Sequence, residues 1–302
     1  MPMPSLETPF FDRLAAAILA KRSPLMVGLD PRWQQLPEGL RPADGASLTE
    51  VAEAFRAHSC GVIDAVADLT PIIKPQAAFF EQLGPAGMTA LAAVIDHAHA
   101  AGLLVCIDGK RNDIGSTAEA YADGWLGATS PWKGDALTVS PYLGDDSLEP
   151  FTNIAAERGC GVFILVKTSN PGGGLFQDQQ SGGQPLYRQV GNYVDSIAKA
   201  TVGECGYGVA GAVVGATYPE QLAKLRAAMP HTWFLVPGFG AQGGAATDVA
   251  GGFDAKGLGA VVNSSRGVIF AYEKRPHADG WQAAVRVAAE EAVQQLREVM
   301  PG

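Results

Sequence analysis

The sequence predicts an α/β protein of one domain, a (β/α)8 TIM barrel spanning residues 1–302. Three observations carry this reading. Eight short apolar, β-branched runs alternate with longer segments of helical spacing. The runs are continuously apolar, which suits parallel strands buried on both faces. Polar and charged residues gather at or just past the carboxyl ends of the runs, where a barrel places its active face.

The strand runs are 25–30, 71–76, 103–110, 136–141, 161–168, 211–217, 233–240 and 260–267. Helices are expected at 47–67, 87–100, 116–126, 147–158, 186–201, 219–228, 244–250 and 280–299. The first of these opens Ser47-Leu48-Thr49-Glu50, a capping box in which the Ser and Glu side chains satisfy each other's backbone donors. A doubly wound open sheet is the alternative topology. No G-x-G-x-x-G follows the first run, which weighs against a dinucleotide-binding sheet. An N-terminal extension precedes the first run. Residues 169–185 make a long loop carrying Asn170-Pro171-Gly172-Gly173-Gly174 and Gly182-Gly183. A loop of that length after a barrel strand is expected to act as a lid.

Composition narrows the function classes. A chain of 302 residues fits one barrel, which takes about 250 residues. The net charge of −9 argues against a nucleic-acid binder but leaves room for a small anion held by a few focused cations. Cys60, Cys106, Cys160 and Cys205 have neither metal nor redox spacing. Reduced thiols and a cytoplasmic setting are therefore expected. Residues 1–10 lack the basic-then-apolar order of a secretory signal. No apolar stretch reaches the roughly 18 residues of a membrane span.

The chemistry is read from the strand ends, where Asp30, Lys74, Asp108, Lys110, Ser140, Lys167, Thr217 and Arg266 fall. Charges there are costly unless they pair or bind something. Asp108 and Lys110 are two apart and leave a strand on one face. Asp113 follows in the turn, and Lys74 ends the preceding strand. Together they form a chain of alternating sign, Lys74–Asp108–Lys110–Asp113. Lysines flanked by carboxylates stay protonated. Such a lysine is a poor Schiff-base nucleophile and a good proton donor to a carbanion. The competing reading is an ion-pair network that only ties strands together, a weak way to stabilise a barrel.

A phosphate site is the second constellation. Pro237-Gly238-Phe239-Gly240-Ala241-Gln242-Gly243-Gly244 follows the seventh run, and Asn263-Ser264-Ser265-Arg266-Gly267 the eighth. Barrels often bind phosphate between these two loops. Glycines let backbone N–H groups approach an anion, and an arginine fork holds two of its oxygens. His97 and His99, two apart on a helix, make a poor metal pair. His58 and His231 are isolated. Trp125, Trp132 and Trp233 are expected in the core or at an interface.

The run Asp108-x-Lys110-x-x-Asp113-Ile114 resembles the signature of the orotidine 5′-phosphate decarboxylases. Gly28-Leu29-Asp30, Lys74 after Pro71-Ile72-Ile73, Thr168-Ser169-Asn170-Pro171-Gly172, the glycine-rich block at 237–244 and Ser265-Arg266-Gly267 are similar to that family's other blocks, in order. The Arg111-Asn112 filler resembles its longer bacterial subgroup. The resemblance implies decarboxylation of orotidine 5′-phosphate to uridine 5′-phosphate in de novo pyrimidine biosynthesis, without cofactor or metal. Lys110 would protonate C6 as carbon dioxide leaves. Asp108 would sit beside the substrate carboxylate, with Lys74 and Asp113 completing the array. Asp30 and Lys74 would contact ribose hydroxyls, and Ser169 the pyrimidine amide. Gln242 and Arg266 would hold the phosphate, with Pro237, Gly240 and Gly243 around it. Asp113, Ile114 and Thr117 would act in trans, in the partner's site of a homodimer.

Two further readings stand beside this one. Metal-dependent sugar-phosphate decarboxylases and hexulose-phosphate synthases are similar barrels that carry a Glu near the metal, and here only Glu119 lies near the motif. A non-catalytic nucleotide-binding barrel would lack a member of the charged tetrad, and none is missing.

Overall fold

Runs of Val, Ile and Leu leave no polar face for solvent, so the strands they form must be covered on both sides. In the computed structural model, which describes residues 8–126, 129–215, 219–239, 245–275 and 279–301, they close into a barrel. Its strands are β1 (Leu25–Leu29), β2 (Ile72–Pro75), β3 (Leu104–Arg111), β4 (Ala136–Val139), β5 (Gly161–Lys167), β6 (Ala210–Val214), β7 (Phe234–Pro237) and β8 (Ala260–Ser264). Each pairs in parallel with its sequence neighbour, and β8 closes on β1 with Met26 opposite Asn263. The open-sheet alternative is excluded.

The longer helices are α1 (Phe10–Lys21), α2 (Leu48–Val66), α3 (Gly84–Ala100), α4 (Gly115–Trp125), α5 (Glu149–Arg158), α6 (Leu186–Ala200), α7 (Pro219–Ala228) and α8 (Trp281–Val299). The capping box at Ser47 is formed: its side chain accepts from the Glu50 N–H, and the Glu50 carboxylate accepts from the Ser47 N–H at 2.8 Å. The larger core packs α2 to α8 against the outside of the barrel. Helix 244–250 is observed as Ala246–Val249, its start lying outside the described residues.

The residues before β1 are more than an extension. Phe10, Phe11, Leu14, Ala15 and Ile18 recur at helical spacing on α1 and are all buried. They form a second core with Met26, Ile72, Leu104, Ala136, Phe163 and Val261, the inward residues near the amino ends of the strands. Phe11 stacks on Trp233 at 5.7 Å, and Phe10 meets Phe163 edge-on at 6.2 Å. At the start of β5 only glycine fits, because a Cβ on Gly161 would lie 2.3 Å from the Phe10 ring. Thus α1 plugs the amino mouth.

The period of two along each strand then sorts the interior by height. Ile72 is followed inward by Lys74, Cys106 by Asp108, Ala136 by Thr138 and Val261 by Asn263. β5 breaks this rule. Its pairing to β6 shifts register between Leu165 and Lys167. Leu165 lines the interior cavity; Lys167, expected at the active face, instead places its ammonium 2.6 Å from Asp178 and 5.3 Å from the Tyr187 ring centre. The loop after β5 is structured. It holds a 3-10 turn (Pro171–Gly173), a short helix (Gly174–Gln177) and an antiparallel pair, Gln180–Ser181 with Gln184–Pro185. Gly182 and Gly183, at φ +58° and +81°, close that pair in a turn both of whose central residues need left-handed backbone.

Candidate active site

β3 presents the candidate charges because it does not stay in register. Ile107 faces Leu137, yet Arg111 faces Val139, so β3 has two more residues than β4 across that stretch. The extra length lifts Asp108-Gly109-Lys110 above the ladder. Lys110 takes a φ of +45°, a backbone region that costs a side-chain-bearing residue about 1–2 kcal/mol.

Asp108 is the hub. Its Oδ2 accepts from Lys74 Nζ at 2.6 Å and from Gln76 Nε2 at 3.0 Å. Its Oδ1 accepts from Lys110 Nζ at 2.5 Å and from the Thr138 hydroxyl at 2.9 Å. Burial works against the carboxylate, but Lys74 and Lys110 outweigh it and hold the carboxyl far below its ordinary range. Burial likewise works against the Lys74 ammonium, and Asp108 and Asp30 outweigh it, raising its pKa. Both groups are therefore charged. Beneath them, burial and then Asp108 push the Cys106 thiol far up, so it is a neutral core thiol and no nucleophile.

The three charges border a cavity of about 230 Å3 at the carboxyl mouth. Lys74 and Asp108 side chains are 6% and 9% exposed, whereas Lys110 is 48% exposed. The lysine that is open is the one a ligand can reach. Ser169, Pro237, Thr138 and Asn263 also line the cavity, and Leu165, Val213 and Leu235 supply its apolar wall. Two buried acceptors, Asp30 Oδ1 and Asn263 Oδ1, have no partner among the described residues. Buried polar atoms are rarely left so, and both fit a donor brought by a ligand.

Within one chain three of the four charges, Lys74, Asp108 and Lys110, come together; Asp113 is the one expected to act in the partner's site. Asp113 lies past the end of β3, where its Oδ1 accepts the Ile114 N–H at 2.9 Å. Between Lys110 and Asp113, Arg111 binds the Glu81 carboxylate and lies 5.2 Å over the Trp125 ring. Ile114 is 56% exposed, and Thr117 is exposed on α4. Ser140 gives its N–H to the Arg111 carbonyl and does not line the cavity. Arg266 opens a short helix (Arg266–Ile269), is exposed, and borders a second depression of about 280 Å3 with Gln35, Lys274 and Arg275. Gly240, Gln242, Gly243 and Thr217 lie outside the described residues.

Glu119 is exposed on α4 and does not line the cavity. Among the described residues no three His, Cys, Asp or Glu side chains converge as a metal-ligand set, and no helix is long and apolar enough to cross a membrane. His97 pairs with Asp64, His99 with Asp135 and His231 with Asp195. His58 is buried, and burial lowers its pKa to about 4. Trp125 stacks on Trp132. Sequence reasoning missed Gln76, Thr138 and Asn263. The last two were findable, since each stands two residues after an inward apolar residue on its strand.

Residues 23–280 match the family model described as orotidine 5'-phosphate decarboxylase / HUMPS family. A Rhodopirellula baltica protein named orotidine 5'-phosphate decarboxylase is 55% identical over 298 residues, 95% of this chain and 99% of that one. Its Deinococcus radiodurans namesake is 43% identical over 264 residues, 87% of this chain and 89% of that one. The solved structure of Leishmania donovani OMP decarboxylase superposes with a TM-score of 0.77 at 34% identity, covering 97% of this chain and 98% of that one. Sequence and fold agree, and the chain belongs to the orotidine 5'-phosphate decarboxylase / HUMPS family.

Proposed function

We propose that this protein decarboxylates orotidine 5′-phosphate to uridine 5′-phosphate, a step of de novo pyrimidine biosynthesis. One observation carries the reading: a half-exposed ammonium, Lys110, is held 2.5 Å from a buried carboxylate at the edge of the barrel cavity. Relatives that match the chain over nearly its whole length bear the decarboxylase name.

The C6–carboxylate bond breaks heterolytically. Its electron pair stays on C6, and carbon dioxide leaves. Lys110 then gives its proton to C6. No conjugated sink exists for that pair, so stabilisation must come from a cation already in place. Asp108 holds the Lys110 side chain at 2.5 Å and stands where the substrate carboxylate arrives. The apolar wall of Leu165, Val213 and Leu235 suits a neutral product.

The remaining assignments follow the nucleotide. Asp30 and Lys74 take ribose hydroxyls, in keeping with the unmet Asp30 Oδ1. Ser169 takes the pyrimidine amide. Arg266 and Gln242 take the phosphate, with Pro237, Gly240 and Gly243 around it, and the loop at 169–185 closes over the bound substrate. A second copy of the chain supplies Asp113, Ile114 and Thr117. Exposed Ile114, Tyr142 and Leu143, which follow β3 and β4, support such a contact. The wide spacing of Cys60, Cys106, Cys160 and Cys205 supports a reducing, cytoplasmic setting.

A spectrophotometric assay tests the reading. Purified protein consumes orotidine 5′-phosphate in EDTA, and a Lys110→Ala variant does not. Turnover that vanishes with EDTA favours the sugar-phosphate branch of the family instead. Undiminished turnover in Lys110→Ala removes the proton donor assigned here.

A further inference from the structure

We propose that Thr138 is a positioning residue for Lys110: its hydroxyl clamps the raised turn of β3 that aims the proton-donating ammonium. The inference rests on the decarboxylase reading. Thr138 is 2% exposed and sits on β4 directly across from the extra residues of β3. Its Oγ1 accepts the Lys110 backbone N–H at 2.9 Å and donates to Asp108 Oδ1 at 2.9 Å. The same Oδ1 receives Lys110 Nζ at 2.5 Å. One hydroxyl therefore closes a ring that runs from the lysine's backbone, through Asp108, to the lysine's own ammonium.

The geometry gives this hydroxyl a task that a plain strand residue would not have. In a regular parallel ladder the N–H at 110 would keep the phase of the Leu104 N–H, which bonds the Pro71 carbonyl, and would turn toward the β2 side. The extra residues of β3 break that phase, and the N–H meets the Thr138 oxygen on β4 instead. Lys110 stands at φ +45°, where a lysine stays only if its surroundings hold it. Without the clamp, lower-energy backbone becomes available to Lys110, and its ammonium swings off Asp108. The valine variant keeps the β-branched shape and removes both hydrogen bonds. The serine variant keeps the hydroxyl and frees its rotamer.

The test compares wild type, Thr138→Val and Thr138→Ser for kcat and KM with orotidine 5′-phosphate, thermal midpoint, and exchange of the C6 proton of uridine 5′-phosphate in D2O. Exchange reads the Lys110-to-C6 proton transfer without decarboxylation. Thr138→Val is expected to lose about ten- to a hundredfold in kcat, with KM within about threefold and exchange slowed in parallel. Thr138→Ser is expected to restore most of both. Should Thr138→Val not fold, Thr138→Ala carries the same expectation. Wild-type kcat and exchange in the hydroxyl-free variant overturn the inference. So does a loss confined to KM, or an equal loss in the valine and serine variants, since each describes a structural role. If wild type itself does not turn over orotidine 5′-phosphate, the decarboxylase reading fails first and the inference falls with it.

Discussion

The barrel buries one aspartate at each mouth, and the two differ in what their partners are free to do. Asp108 at the carboxyl mouth and Asp135 at the amino mouth are each 6% exposed. In both, burial opposes the charge and is outweighed, by Lys74 and Lys110 at Asp108 and by the His99 hydrogen bond together with Arg13 at Asp135, so both pKa values are depressed. Asp135 accepts from Arg13, from His99 Nε2 at 3.0 Å and from the Val105 N–H at 2.9 Å. Arg13 is itself 4% exposed and also holds the Gly159 carbonyl at 3.0 Å. Arg13 fastens α1 here, while His99 and the Val105 N–H tie α3 and β3 to the same carboxylate. Around Asp108, Lys110 is half-exposed, its backbone is left-handed, and acceptors on Asp30 and Asn263 have no partner among the described residues. Burial and pairing alone do not mark a catalytic carboxylate. An open cationic partner, strained backbone and unmet polar atoms do.

The largest effect should fall where that contrast is sharpest. Asp108→Asn is expected to lower kcat by at least about a thousandfold. Asp135→Asn should leave kcat per folded molecule unchanged. Steady-state rates normalised to the folded fraction check both, and equal losses at the two mouths would break the contrast.

The amino mouth should answer in stability instead. Phe11→Ala removes the ring that stacks on Trp233, a cost of about 3–5 kcal/mol for a buried aromatic. At roughly 2–4 °C per kcal/mol, the thermal midpoint should drop by about 10 °C. Turnover below the transition should persist. A drop of only a degree or two would mean that α1 is no plug.

The two mouths were unequally legible in the sequence. Asp108, Lys110 and Lys74 stand at the ends of apolar runs, where a charge calls for an explanation. Asp113 fits the same spacing but lies past the end of β3, and its expected role in a partner's site rests on resemblance. Lys167 shows why strand parity is not enough, since one register shift removed it from the cavity. Thr138 and Asn263 obey parity, yet Thr and Asn in a strand raise no alarm until their neighbours are known. The plug was visible in principle. Phe10, Phe11, Leu14 and Ile18 have the spacing of a buried helix face, but that spacing does not say which end of the barrel the face covers. The phosphate-side residues Gly240, Gln242 and Gly243 remain assigned by resemblance.

Asp135→Asn sharpens the contrast at smaller scale. Breaking the pair leaves Arg13 buried without its counter-charge, a cost of about 3 kcal/mol. The pH dependence gives that loss a sign. A carboxyl depressed in the folded state stabilises above its ordinary value of 3.8 and loses that contribution as pH falls through the folded value. The gap in thermal midpoint between wild type and Asp135→Asn should stay level from about pH 5 to 8 and shrink in stronger acid. Absolute stability falls earlier, because His58 is held near a pKa of about 4 by burial and takes up its proton on unfolding below 6.5. That contribution is common to both proteins and cancels in the difference. A gap that widened on acidification would mean that Asp135 is not the charged partner of Arg13. Since Asp108 is depressed as well, any limb of the rate profile between about pH 5 and 8 must come from a group other than the two buried aspartates.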